Sequence, residues 1–305
     1  MKPWYDNYCF AEEEYGKTTM YNSVMVLNFL DKYIRNNYDI PKNMVESNVR
    51  IDYDKVRMLI RHDKEFAHDA SIIQQLVTQG FVTGKLVENF PAERINDPDN
   101  FLSLLFYFGM VTIDGDYKGV TKFIIPNEVV QDQMYTYLLD TYKENDLTYD
   151  SFNKGKLESQ LAYDGNYKAY FEFIADSLKR YSSQRDKQKG EAFVHGFTLA
   201  MTSQNQFYRP ISELDNDGGY ADIFLSPLCD IYKDMVDCYI IELKYCKTNT
   251  ADEQLQVLFK EASAQICRYA NSDIVKESVK TTKLHKLVVI YRGAEMVMCE
   301  EVTEE

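Results

Sequence analysis

The amino-acid sequence predicts an α/β protein with two domains: a mostly helical N-terminal region, and a C-terminal domain built around a central mixed sheet. In residues 1–146 the apolar residues recur mainly every three to four positions, as in helices, whereas residues 147–305 mix helical and strand patterns. The stretch "YKENDLTYDSFNKGK", residues 142–156, is polar and rich in turn-forming residues. We therefore place the domain boundary near residue 146.

Amphipathic helices account for most of the first domain. The segment "NSVMVLNFLDKYI" begins with Asn22, a residue type that caps helix N-termini. Two further segments, 54–63 and 70–79, have the same spacing of apolar residues, and segment 100–111 is rich enough in apolar residues to be buried. Residues 112–126, "TIDGDYKGVTKFIIP", have the Gly-containing turn and β-branched flanks of a hairpin, and a helix opened by Asn127 follows.

The order of these elements, helix, hairpin and helix, predicts a winged-helix-like module. Such modules bind DNA or dock to other proteins, and the acidity of this chain favours docking. In the second domain the predicted order is two helices, three strands, a helix and a strand, which indicates an α/β sandwich around a central sheet. The helical patterns of this domain cover residues 166–181, 190–204 and 252–271, and its last strand covers 284–292.

The composition argues against several classes of protein. A net charge of -14 repels polyanions at long range, although residues 179–189 carry a local charge of +4 that would permit phosphate contacts. No apolar run approaches the roughly 18–20 residues that span a bilayer, and the N-terminus has no leader pattern. We therefore expect a cytoplasmic protein without a membrane partner. Six cysteines without a C-x-x-C pair indicate reduced core thiols rather than a zinc or iron–sulfur site.

Charged residues interrupt two apolar runs of the second domain. Asp222 lies in the run 220–225, and Glu242 and Lys244 lie in the run 238–245. Because side chains alternate along a strand, Glu242 and Lys244 should project from the same side of the sheet. If the two strands pair, Asp222 approaches Glu242, and a magnesium ion could lie between the carboxylates. A lysine beside such an ion suits phosphodiester hydrolysis.

A structural alternative stays open for these charges. A Glu-x-Lys sequence occurs by chance roughly once in a chain of this length. The three residues could therefore form an ordinary salt-bridged stripe on the solvent face of an edge strand.

At these residues the sequence resembles the PD-(D/E)XK nuclease superfamily, which has the restriction-endonuclease-like α/β fold, and most of all the nuclease domains at the C-terminus of bacterial AAA-ATPase-like proteins. In those domains a "GYADI" strand supplies a first acid, matched by Asp222, and an "ELK" strand supplies the second acid and the lysine, matched by Glu242 and Lys244. A following helix carries a Q-x-x-x-Y element, matched by Gln265 and Tyr269.

The resemblance also implies roles for residues before these strands. The family tends to carry an acid and a histidine on the preceding helix, matched by Glu191 and His195 in "GEAFVHGF", and Glu213 also has a counterpart. It implies a Mg²⁺ or Mn²⁺ ion held by Asp222, Glu242 and Glu191. A histidine on an apolar helix is also typical of a hydrogen-bonded core residue, so both interpretations of His195 stay open.

The first domain resembles the region that follows the ATP-binding core of the same proteins, in "KPWYDNYCF", "MYNSVMVLNFL", "LLFYFGMVT" and "FIIPNEVV". No P-loop is present: in "GFVTGKL", residues 80–86, the two glycines are one residue too close and Leu86 replaces the Ser or Thr of that motif. We expect no ATP binding by this chain. The expected function is metal-dependent cleavage of DNA. The alternative is a non-catalytic module that docks to an ATPase partner or self-associates.

Overall fold

The computed structural model describes residues 2–41, 66–89, 94, 97–183, 190–212 and 223–303. They form two units, Met1–Leu138 and Leu139–Glu305, and the division falls within one long helix, Glu128–Glu144. The predicted helix at residues 54–63 lies outside the described residues. No helix in the described part of the chain combines the length and the apolar character needed to cross a bilayer.

The first unit combines helices with a three-stranded antiparallel sheet of order β1-β3-β2. Its helices are α1 (Lys2–Tyr5), α2 (Ser23–Arg35), α3 (Phe66–Gln79), α4 (Phe101–Tyr107) and the first part of α5 (Glu128–Glu144), with short 3₁₀ turns at Glu12–Glu14 and Pro98–Asn100. Its strands are β1 (Phe81–Thr83), β2 (Thr112–Tyr117) and β3 (Val120–Ile124).

Local sequence signals define several elements of this unit. The Asn22 side chain accepts a hydrogen bond from the Met25 amide at 3.1 Å, which confirms the predicted start of α2. Asn127 accepts from the Val130 amide at 3.2 Å at the start of α5. The predicted hairpin is also confirmed. Its two-residue turn places Lys118 and Gly119 at φ 56° and 85°, and positive φ at both positions is what a tight hairpin turn requires.

The second unit is an α/β domain around a five-stranded sheet of order β4-β5-β6-β7-β8. Among the described strands only β6 and β7 are parallel, so the sheet is mixed, as predicted. The helices are α6 (Ser151–Asp164), α7 (Tyr167–Ser183), α8 (Glu191–Ser203), α9 (Asp252–Tyr269) and α10 (Asp273–Val279). The strands are β4 (Tyr208–Ile211), β5 (Ile223–Pro227), β6 (Asp237–Cys246), β7 (Lys283–Arg292) and β8 (Glu295–Glu301).

Helix α6 begins within residues 142–156, a polar and turn-rich stretch in which the sequence predicts no helix. The Asp150 side chain accepts hydrogen bonds from the Phe152 and Asn153 amides at 3.0 Å and begins the helix, which Gly165 ends at φ 66°. Two of its polar residues, Lys154 and Glu158, are buried as an ion pair. The apolar pattern is therefore weak although the helix packs into the domain. Helix α10 and the acidic strand β8 were not predicted from the sequence.

Helix α9 covers the face of the sheet on which the second acid of the motif lies. On β6, Ile240 packs against Ile266 and Tyr269 of α9. On β7, Val288 and Ile290 pack in one cluster with Leu255 and Ala262 of α9. Alternation along β6 puts Ile240, Glu242, Lys244 and Cys246 on this same side.

A buried polar cluster links β6, β7 and β8. His285 Nε2 lies 2.8 Å from Asp237 Oδ1, and His285 Nδ1 lies 2.8 Å from Glu301 Oε1. His285 and Asp237 are only 4% and 5% exposed. The Tyr239 ring stacks on the imidazole, with 5.0 Å between centroids and 18° between planes. Two carboxylates therefore share one histidine at the end of the sheet where β6 and β7 begin.

All six cysteines are unpaired thiols, as the sequence indicates. Burial raises the pKa of Cys238 and of Cys299 to about 12. Because the thiolate is the reactive form, these two side chains act as small apolar core residues at neutral pH.

Candidate functional site

The charged pair predicted from the sequence lies on the central strand of the sheet. Strand β6 is third of five and is hydrogen-bonded to β5 and β7. The Glu242 residue is only 2% exposed. The alternative of a solvent-facing stripe on an edge strand is therefore wrong for Glu242. A glutamate at this depth needs a specific partner, because an isolated buried carboxylate is strongly disfavoured.

Lys244 supplies such a partner. Its Nζ donates a hydrogen bond to Glu242 Oε1 at 2.7 Å. The side chain of Lys244 is 21% exposed and that of Glu242 is 2% exposed, so the pair extends from the core to the solvent. A buried ion pair of this kind adds little net stability, because desolvation offsets most of the attraction. A role in binding or catalysis therefore explains the position of the Glu242–Lys244 pair better than a contribution to folding stability does.

The lysine opens into a cleft of about 530 Å³. Glu191 enters this cleft from the first turn of α8. Gln265 enters it from α9, on the helix that covers the Glu242 side of the sheet. The described residues that line the cleft are Glu191, Lys244, Tyr245, Leu258, Glu261, Ala264, Gln265 and Arg268.

Gln265 presents an unsatisfied acceptor in this region. Its Oε1 is buried and has no hydrogen-bond partner among the described residues. A buried amide oxygen without a donor costs free energy, so a water molecule or a ligand that donates a hydrogen bond would be stabilised there. The geometry gives Gln265 a means of orienting a bound hydroxyl group or water.

Tyr269 and His195 are placed differently from Gln265. Tyr269 is 6% exposed and packs in a core cluster with Phe224, Ile240 and Ile266. His195 is 7% exposed, and its Nε2 lies 3.5 Å from Ser212 Oγ. Neither is among the described residues that line the cleft. Both are interior side chains next to the candidate site.

Asp222 and Glu213 lie outside the described residues. Within the described ranges no group of three His, Cys, Asp or Glu side chains is arranged to hold a metal ion. Glu242 and Glu191 are the described members of the predicted metal set. Their carboxylate oxygens are the donor type that Mg²⁺ prefers, and Mg²⁺ keeps several waters, so two or three carboxylates suit this ion.

The sequence did not single out five of the described residues that line the cleft: Tyr245, Leu258, Glu261, Ala264 and Arg268. Helical spacing carried a usable signal for Leu258, Glu261 and Arg268. Positions 258, 261, 265 and 268 recur every three to four residues and so lie along one face of α9. Because Gln265 was already a candidate site residue, its neighbours on the same face of α9 could have been predicted from this spacing.

Comparison with known proteins locates the resemblance in the second unit. Residues 189–301 match the family model of the PD-(D/E)XK nuclease superfamily. No curated protein and no solved structure matches the chain. The matched range includes Glu191, Glu242, Lys244 and Gln265, and the central mixed sheet fits a restriction-endonuclease-like fold. The matched range begins at residue 189 and does not include the first unit, so the resemblance of that unit to AAA-ATPase-like proteins stays a prediction.

Proposed function

We propose that the second unit, which resembles PD-(D/E)XK nucleases over residues 189–301, is a metal-dependent nuclease that hydrolyses DNA phosphodiester bonds. The observation that carries this proposal is the Glu242–Lys244 pair. A glutamate that is 2% exposed lies on the central strand, and its lysine partner opens into a cleft. Such an arrangement places a fixed charge where a phosphate could enter.

The pairing register of β5 and β6 supports a position for Asp222, the first acid of the motif, opposite Glu242. In the antiparallel ladder of β5 and β6, Phe224 pairs with Ile240 and Ile223 pairs with Ile241. One further step of this ladder would join positions 222 and 242. We propose that Asp222 occupies this step, because directly opposed residues have Cβ atoms about 5 Å apart and their carboxylates can share one cation.

In this proposal Asp222, Glu242 and Glu191 hold Mg²⁺ or Mn²⁺. When bound, the ion supplies Lewis-acid stabilisation of charge on the phosphoryl oxygens. Lys244 directs its ammonium group at the same phosphoryl oxygens or orients the attacking water, and its charge stabilises the transition state. Gln265 accepts a hydrogen bond from that water through Oε1.

The interior residues have positioning roles in the proposal. Tyr269 packs α9 against β5 and β6 and so fixes the height of Gln265 above the sheet. His195 lies one turn after Glu191 on α8, where its contact with Ser212 Oγ holds the helix near the cleft. Neither needs to touch the substrate.

A docking function for the first unit is the second candidate. Its helix–sheet order and its β1-β3-β2 sheet support a winged-helix-like module. Helix α2 exposes apolar residues at a helical spacing: Val24, Leu27 and Ile34 are 56%, 67% and 58% exposed. An exposed apolar stripe is typical of a protein interface, and an acidic chain is a poor general DNA binder. The partner would be an ATPase or a second copy of the chain.

A cleavage assay separates the two candidates. The full chain is incubated with single-stranded DNA, double-stranded DNA or RNA, in Mg²⁺, Mn²⁺ or EDTA. We expect DNA to be degraded in the presence of either metal and to stay intact in EDTA, with activity restored when excess metal is added back. If all three nucleic acids stay intact under every condition, the nuclease proposal fails and the docking function remains.

A further inference from the structure

Helix α9 brings a second cation to the cleft, one that the proposed reaction does not yet use. Arg268 lines the cleft together with Lys244 and Gln265. We infer that Arg268 binds a backbone phosphate of the nucleic-acid strand next to the phosphate that is cleaved. This inference rests on the proposed function, and it names a substrate-binding residue of the same site.

The position of Arg268 on the helix suits a neighbouring phosphate rather than the cleaved one. Gln265 and Arg268 are three residues apart on one face of α9, which separates them by about 4.5 Å along the helix axis. Consecutive phosphates of one duplex strand are about 3.4 Å apart along the helix axis, and farther apart in space because the strand winds around that axis. If Gln265 serves the reacting phosphate, the longer Arg268 side chain reaches a phosphate about one nucleotide away.

The side chain of Arg268 is available for a ligand. It is exposed and makes no ion pair or side-chain hydrogen bond within the part of the chain that the structure describes. Acidic residues outnumber basic ones by 48 to 34, so many carboxylates compete for the cations of this chain. Lys244, by contrast, is engaged with Glu242 at 2.7 Å. Arg268 is therefore the cation at this cleft that a phosphate could bind without displacing a described carboxylate.

The basic run at residues 179–189 is a weaker candidate for this contact. Lys179 already donates to Glu295 Oε1 at 3.0 Å. Residues 184–189 lie outside the described residues. A guanidinium group can also bind a phosphate through two parallel hydrogen bonds, which an ammonium group cannot do. The basic run also contains arginines, Arg180 and Arg185, so it is the placement at the cleft that favours Arg268.

A role confined to the helix is the simplest competing explanation. Arg268 lies in the last turn of α9, where a cation interacts favourably with the helix dipole. That role would affect stability and would leave nucleic-acid binding unchanged. Binding experiments therefore distinguish the two explanations.

The test measures binding without cleavage. A fluorescein-labelled single-stranded oligonucleotide is titrated with the full chain in EDTA at several salt concentrations, and anisotropy gives the affinity. The variants are Arg268→Ala, Arg268→Lys and, as a matched control, Lys260→Ala, which removes an exposed cation of α9 outside the cleft lining. Circular dichroism verifies that each variant is folded.

We expect Arg268→Ala to weaken binding about tenfold. It should also lower the slope of log affinity against log salt by about 0.7, the value for one phosphate contact on a single strand. Arg268→Lys should keep the slope and lose part of the affinity. Lys260→Ala should bind like the wild type.

The inference is overturned if Arg268→Ala has the wild-type slope, if Lys260→Ala loses as much affinity, or if the wild type binds no oligonucleotide. Failure of the proposed nuclease function would give a different set of results from failure of the Arg268 inference. If Arg268→Ala alone loses affinity while the wild type cleaves nothing in Mg²⁺ or Mn²⁺, Arg268 is a phosphate-binding residue and the proposed hydrolysis is wrong.

Discussion

The Lys244→Met variant is expected to lose DNA cleavage by about 100-fold or more. The substitution keeps most of the apolar length of the side chain and removes the charge that lies 2.7 Å from Glu242 Oε1. In the proposed reaction this charge stabilises the transition state, and its loss costs a few kcal/mol of activation free energy. Initial rates on labelled DNA in Mn²⁺ measure the effect.

The control for this variant is Lys247→Met, the same substitution at an exposed lysine just beyond β6. Removing Lys244 also leaves Glu242 buried without that counter-charge, so thermal unfolding of both variants must accompany the rates. We expect Lys244→Met to be folded at the assay temperature. If a folded Lys244→Met cleaves DNA as fast as Lys247→Met, Lys244 has no part in the reaction.

The His285→Phe variant is expected to be strongly destabilised. His285 is 4% exposed, and its two ring nitrogens lie 2.8 Å from Asp237 and from Glu301. Phenylalanine preserves the stacking on Tyr239 and removes both polar contacts. Asp237, which is 5% exposed, is then left as a buried carboxylate without its partner, a change that costs about 3–5 kcal/mol. Urea denaturation followed by tyrosine fluorescence gives the free energy of unfolding.

A neighbouring exposed pair provides the comparison. Glu300 accepts a hydrogen bond from Lys168 at 3.0 Å, and both side chains are 51% exposed. Glu300→Gln breaks this pair in the solvent and should change the stability little. Equal stabilities of His285→Phe and Glu300→Gln would show that the buried cluster does not hold β6, β7 and β8 together.

Elements with strong local signals could be predicted from the sequence. Helix α2 and helix α5 begin where Asn22 and Asn127 cap them, and the β2–β3 turn follows from Lys118 and Gly119. These signals depend on neighbouring residues alone. Helix α6 could not be predicted, because its buried Lys154–Glu158 pair looks polar in the sequence and becomes a core feature only when the two charges meet.

At the candidate site, too, the sequence predicted local relations between residues but not their tertiary packing. Alternation along β6 was sufficient to place Glu242 and Lys244 on one side of the sheet. Four-residue spacing put Gln265 and Tyr269 on one side of α9, but it could not show that one lines the cleft and the other lies in the core. That difference depends on how α9 packs on the sheet, which is a property of the tertiary structure.

In the proposed site a divalent cation binds between the two acids of the motif, Asp222 and Glu242, beside Lys244. The most direct measurement is a crystal structure of the full chain soaked in Mn²⁺, with anomalous scattering used to locate the ion. The proposal predicts one strong peak that is coordinated by the carboxylates of both Asp222 and Glu242, with Lys244 facing the same cleft. A structure in which Asp222 and Glu242 lie on opposite faces of the sheet, or in which Mn²⁺ binds elsewhere, would contradict it.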